Sequence, residues 1–184
     1  MAEPDSFLAA LKSRANTYRF TTEPVREREL RFILEAGRWA PSCLNIQPWH
    51  FLVIRQPKTI ERLSKTARYL EFHCNPSAMV LVLMCSKRWT GDVAKLGLKG
   101  RLSQKQAYMS VGMAVIQMAL EAHHLGLASD ILAPDERQVR QIVRIPASDR
   151  VAALVGFGHP SRREEPARLR GRRPLDEIVS FEKL

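Results

Sequence analysis

At 184 residues with 45% apolar side chains, the chain has the size of one domain and material for its own core, which excludes a mini-domain dependent on disulfides or metal. Its longest apolar run, Ala78 to Cys85, is eight residues, far short of the roughly 18 that a membrane-spanning helix needs, and cysteines at 43, 74 and 85 form neither a Cys-x-x-Cys pair nor an even disulfide set. A net charge of +10 suits a nucleic acid, an anionic small molecule or simple solubility; no helix-turn-helix, zinc-finger or RNA-recognition signature accompanies it, so no nucleic-acid partner is expected.

The opening Met1-Ala2-Glu3-Pro4-Asp5 lacks the basic-then-apolar pattern of a secretory signal, so a soluble, cytoplasmic protein is expected. Asp5 caps a predicted helix through about Ser13, and Pro24 introduces a second, where Leu30, Ile33 and Leu34 recur at helical spacing. Ala40 to Phe51 then packs turn formers and amides between an apolar helix and an apolar strand, the makings of a ligand-holding loop. Pro41 and Pro48 stiffen it, and Ser42, Asn45 and Gln47 supply hydrogen-bonding groups, Gln47 as a brace of the turn. Trp49 reads as a core plug under the loop, and Cys43, with no partner base, as a small filler.

His50 to Arg55 reads as a buried strand, Pro57 opens a helix carrying Ile60 and Leu63, and Met79 to Cys85 is a second buried strand. Helices beside such strands cover both sheet faces. Trp89 to Lys105, polar, basic and glycine-containing, reads as a surface excursion without assigned structure. From Gln106 to Leu125 the residues Met109, Met113, Ile116, Gln117 and Leu120 give a long apolar helix, with Gly112 permitting close approach; such a helix serves a core or a subunit interface. His123 and His124 point about 100° apart on it and cannot chelate one ion, so no metal is expected. Ser129 to Leu132 is a short strand, Pro134 takes the first position of a helix through Val143, and Val151 to Phe157 is the last buried strand. Between Arg162 and Arg173 six Arg stand against two Glu, and the tail's Leu175, Ile178, Val179 and Phe181 suffice to dock it. With no repeat or linker, residues 1–184 read as a single domain.

The Ala-Pro-Ser-x-x-Asn-x-Gln-Pro-Trp run from Ala40 resembles the nitroreductase superfamily, and Arg14 to Phe20, Gly126 to Pro134 and Arg172 to Val179 fall in that family's order. The resemblance implies an α+β fold, a central, mostly antiparallel sheet flanked by helices, in an intertwined homodimer whose C-terminal arm, about 160–184, reaches the partner. It implies FMN held without covalent bonds at the dimer interface. Hydride comes from NADH or NADPH, and electrons pass to a small-molecule acceptor such as a nitroaromatic or quinone.

Carried onto this sequence, the resemblance assigns the phosphate to Arg14 with Arg172 or Arg173, and the flavin to Pro41, Ser42 and Asn45. The segment through Leu132 and Ala133 presents a backbone N–H to the ring. Three positions depart from the pattern Arg-Arg/His-Ser-x-Arg/Lys-x-Phe: Ala15 deletes a polar side chain, Asn16 replaces a hydroxyl, and Tyr18 replaces a cation. Pro134 stands where relatives often have a second amide donor. No catalytic side chain is assigned, since hydride transfer needs proximity and stacking rather than a base. Two other functions remain open: an oxidase or dehydrogenase of a metabolite or peptide using the same flavin, and a low-turnover flavin-binding protein.

Overall fold

The computed structural model describes residues 7–67, 75–99, 102–161 and 171–182. In chain order it holds α1 (Phe7–Ser13), α2 (Glu27–Arg38), β1 (Trp49–Ile54), α3 (Pro57–Ser64), β2 (Ala78–Met84), α4 (Ser86–Lys95), α5 (Gln104–His124), β3 (Ala128–Leu132), α6 (Glu136–Ile142) and β4 (Arg150–Gly158). The strands form one antiparallel sheet in the order β1-β2-β4-β3. The fold is the expected α+β arrangement.

Sheet burial follows from the two-residue period of strands. Every residue of β2 is buried. Val80, Val82 and Met84 pack with Ile33 of α2 and Val111 and Met118 of α5, while Met79, Leu81 and Leu83 pack with Ile60 and Leu63 of α3 and Val139 of α6. A strand covered on both faces needs a continuous apolar run, and each such side chain contributes roughly 1.5–3 kcal/mol through burial. On α5 the stripe Ala107, Ser110, Val111, Ala114, Met118 and Ala122 turns inward. Gly37 lets α2 approach closely, since a Cβ there would lie 2.7 Å from Met118 Cγ.

Three expectations need correction. β1 is an edge strand with His50 exposed and Phe51 to Val53 half-buried, because among the described residues it has a neighbour on one side only. The supposed excursion from Trp89 begins inside α4: Trp89 and Val93, one turn apart, are buried in the core at 2% and 5% exposure. Two apolar residues suffice for a helix covered on one side. Pro134 is not the first residue of α6; Asp135 caps that helix by accepting the Gln138 N–H at 3.1 Å. The tail residues 171–182 are exposed throughout, with a 3-10 turn at Leu175–Glu177, so within one protomer its apolar side chains do not dock. The Asp5 cap and most of the arginine run lie outside the described residues. No described helix is long and apolar enough to cross a membrane.

Candidate functional site

The segment from Arg14 to Phe20 runs extended beside β3. Asn16 bridges Ser129 in parallel register, the Thr17 N–H donates to the Ser129 carbonyl at 3.1 Å, and the Asn16 amide donates to the Ile131 carbonyl at 3.4 Å. Arg14 joins by donating to Asn16 Oδ1 at 3.3 Å. The segment is held at its far end by Phe20, which is buried against Gly158 and bridges Pro160. Arg14 still closes α1 through its N–H to the Ala10 carbonyl and the chain bends at Tyr18, so the row is Arg14 with its bonded Asn16, and Ala15 and Thr17 flank Asn16 on the other side. Ala15 and Thr17 line, with Arg14, His123 and Ser129, a cavity of about 260 Å3. It is smaller than the roughly 300–1,000 Å3 of a small-molecule site, and of the row only Arg14 reaches it. His123 sits 2.8 Å from the Ser13 hydroxyl through Nε2, tying α1 to the end of α5; His124 is exposed.

At the end of β3, Leu132 is buried at 4% exposure and its side chain belongs to the core beside α3 and α6, so the side chain is not open to a ligand. Ala133 is exposed. Pro134 bridges Ala67, and the Asp135 N–H donates to the Thr66 carbonyl at 2.8 Å. Thus the structure brings Arg14, Asn16, Leu132 and Ala133 to one edge of the sheet.

Pro41, Ser42 and Asn45 lie elsewhere. Their loop makes a 3-10 turn at Cys43–Asn45, and Leu44, Asn45 and Gln47 have φ of 52°, 56° and 53°. The left-handed region costs an ordinary L-residue roughly 1–2 kcal/mol, so the loop needs ties. Ser42 Oγ accepts the Gln47 N–H at 3.0 Å, and the Gln47 side chain donates to the Asn45 carbonyl at 3.3 Å, the bracing part expected of it. Ser110 Oγ accepts the Cys43 N–H at 3.2 Å while its own hydroxyl donates to the Gln106 carbonyl. Arg88 donates to the Gln47 and Trp49 carbonyls at 3.1 and 2.9 Å. Trp49 is buried at 6% exposure beneath the loop, as expected of a plug, and lies parallel to the Phe51 ring.

Ser110 and Arg88 escaped the sequence reading. One is a lone hydroxyl in an apolar helix, and the other sat in a stretch read as surface. A buried serine on the core face of a helix was the available signal.

Ser110 and His123 are thirteen residues apart on α5, about 20 Å of helix. Within one protomer the loop therefore meets α5 at Ser110, in its first half, while Ser13, next to Arg14, meets it at His123 near its C-terminal end. Along its outer face α5 exposes Tyr108 at 40%, Met109 at 63% and Ile116 at 39%, with Gly112 open beside them. Arg172 and Arg173 are exposed and make no ion pair or hydrogen bond among the described residues. Burial raises the Cys85 thiol above its usual range, with Asp149 adding to the effect, so it is no ready thiolate.

A model of the nitroreductase family matches residues 11–73, which include both the Arg14 row and the Pro41 loop. NADH dehydrogenase of Thermus thermophilus is 33% identical over 95% of this chain and 95% of its own. A protein of Desulfovibrio desulfuricans designated a nitroreductase, solved in complex with FMN, superposes with a TM-score of 0.78 at 29% identity, covering 100% of this chain and 99% of that one. A nitroreductase family protein of Clostridium difficile 630 gives 0.80 at 27% identity, covering 97% and 99%.

Proposed function

This chain belongs to the nitroreductase family, and from that premise we propose that it works as a homodimer, taking hydride from NADH or NADPH onto FMN and reducing a nitroaromatic, quinone or similar electrophile. It is an NAD(P)H-dependent flavin oxidoreductase with FMN as its cofactor. The observation that carries the dimer is the separation of the two halves of the site along α5. Two copies packed antiparallel through Met109, Gly112 and Ile116 bring the Pro41 loop of one protomer toward the Arg14–Asn16 row of the other. A twofold contact of this kind makes two equal sites.

The donor set fits FMN. The Arg14 guanidinium, steered by Asn16, offers a charge-assisted bond to a phosphate at the open end of β3. Asn45, exposed on its left-handed turn, is placed to read the polar edge of a ring, and Pro41 and Ser42 form the wall beside it. Ala133 keeps a backbone N–H to direct at the ring, whereas Pro134 has none. Bound FMN supplies the redox chemistry, accepting hydride and passing electrons on. The protein's share is orientation and an open face for alternating substrates.

The tail from about 160 to 184, with Leu175 at 72% and Phe181 at 88% exposure, is proposed to reach across the partner and carry Arg172 and Arg173 to a phosphate. A cytoplasmic location and the single domain over 1–184 belong to the same proposal.

The test is the visible spectrum of the purified protein after FMN loading and gel filtration, then after anaerobic NADH or NADPH. Retained flavin that bleaches is expected. Retained flavin that stays oxidised overturns the reductase reading in favour of an oxidase or a low-turnover binder, and a colourless protein overturns FMN binding itself.

A further inference from the structure

The Pro41 loop holds a backbone that its own residues disfavour. Leu44, Asn45 and Gln47 are all left-handed; asparagine tolerates that region, but leucine and glutamine do not, and such a turn persists only where its surroundings over-determine it. The ties come from two directions. Ser42 closes the turn from within, through the Gln47 N–H. From outside, Ser110 fixes its start at Cys43, and Arg88 fixes its end.

Arg88 differs in kind from the serines. One guanidinium nitrogen donates to both the Gln47 and the Trp49 carbonyls, which flank Pro48 where the loop becomes β1. The Cys85 N–H adds a backbone tie to the Pro48 carbonyl at 2.8 Å, so the start of α4 is fastened to the same three residues. Among the described residues Arg88 has no acidic partner, and its charge-assisted bonds go to these carbonyls. Two converging carbonyls without that donor repel each other, and nothing else described holds the Gln47 carbonyl.

We propose that Arg88 is the positioning residue of the flavin-facing loop: it holds the left-handed turn that presents Ser42 and Asn45 to FMN. This rests on the FMN reading above. Arg88 acts through the loop, so its removal loosens the cofactor more than it loosens the fold.

The experiment compares the unsubstituted protein with Arg88→Met and Arg88→Lys, measuring FMN affinity by fluorescence quenching, the visible circular dichroism of the bound flavin and the melting midpoint without FMN. Arg88→Met is expected to weaken FMN binding at least tenfold and to change the flavin dichroism, with the midpoint within a few degrees. Arg88→Lys, which keeps a charged donor, is expected to recover most of the affinity. Should Met not be tolerated, Arg88→Ala, which also removes the donor, is read the same way. Affinity within twofold of the unsubstituted protein, or a loss that lysine does not recover, overturns the inference. If the unsubstituted protein binds no FMN, the functional reading falls and this inference with it; if it binds FMN and Arg88→Met binds equally well, only this inference falls.

Discussion

Glu29 and Glu35 on α2 are carboxylates held ionised by their neighbours. Arg26 hydrogen bonds, from guanidinium and backbone N–H, hold Glu29 below its ordinary 4.5, and Arg38 with the Trp39 indole N–H lowers Glu35 to about 2. Both groups bind a proton less readily folded than unfolded, so their contribution is complete above the unfolded value of 4.5 and is lost as pH falls through their lowered folded values, about 2 for Glu35. The urea midpoint is accordingly expected to fall as the buffer is taken through that window. Glu29→Gln should lower neutral-pH stability by roughly 1 kcal/mol, the low range for a charge-assisted bond whose cation is solvated, and flatten the acid decline. A midpoint that falls as steeply in Glu29→Gln as in the unsubstituted protein would contradict the assignment. Neither shift was legible in the sequence, where the i, i+3 spacing to Arg26 and from Glu35 to Arg38 gives the pairing but not its geometry.

The extended segment from Arg14 to Phe20 is held at one end by β3 and at the other by β4. Its anchor is the Phe20 ring against Gly158, where an added Cβ would sit 2.7 to 3.1 Å from ring and Cβ atoms. Gly158→Ala is expected to cost about 1–3 kcal/mol through overpacking, visible in the melting midpoint. Because the ring and the Arg14–Asn16 row share one short segment, FMN affinity should fall as well. A substitution that lowers the midpoint and leaves FMN affinity unchanged would show that the row is held by β3 alone. Element by element, β2 and α5 were legible because their apolar periods are unbroken. α4 was not, because Trp89 and Val93 are isolated among basic and polar residues, and only the space beneath them decides that they are core. Pro134 was misplaced for a related reason: proline and aspartate both open helices, and here the side-chain bond of Asp135 decides the start.

For the molecule as a whole, the exposed face of α5 and the distance between the two half-sites make one argument. Met109→Glu or Ile116→Glu places a carboxylate on the proposed contact and is expected to shift sedimentation from twice the chain mass to the chain mass, with FMN lost in the same variant. In an isolated helix, Gly112→Ala would stabilise by roughly 0.5–1 kcal/mol, and its Cβ meets nothing within 4 Å among the described residues of one protomer. Weakened association in that variant would therefore point to close packing by a second copy. A monomeric Ile116→Glu protein that still retains FMN would sink the shared-site reading.

By itself the sequence determined what is local and periodic: the apolar character of the core segments, the covered strand β2, the long helix α5, and the Ala-Pro-Ser loop with Trp49 as its plug. Those follow from neighbours a few residues apart, whose spacing dictates which face is buried. Only the tertiary structure decided that Asn16 reaches Ile131 with Arg14 bonded to Asn16, that Ser110 and Arg88 hold a left-handed loop, and that this loop and the segment at Ser13 meet α5 at residues about 20 Å apart along the helix. Such contacts join residues far apart in the chain, and their register is fixed by packing that no local pattern encodes.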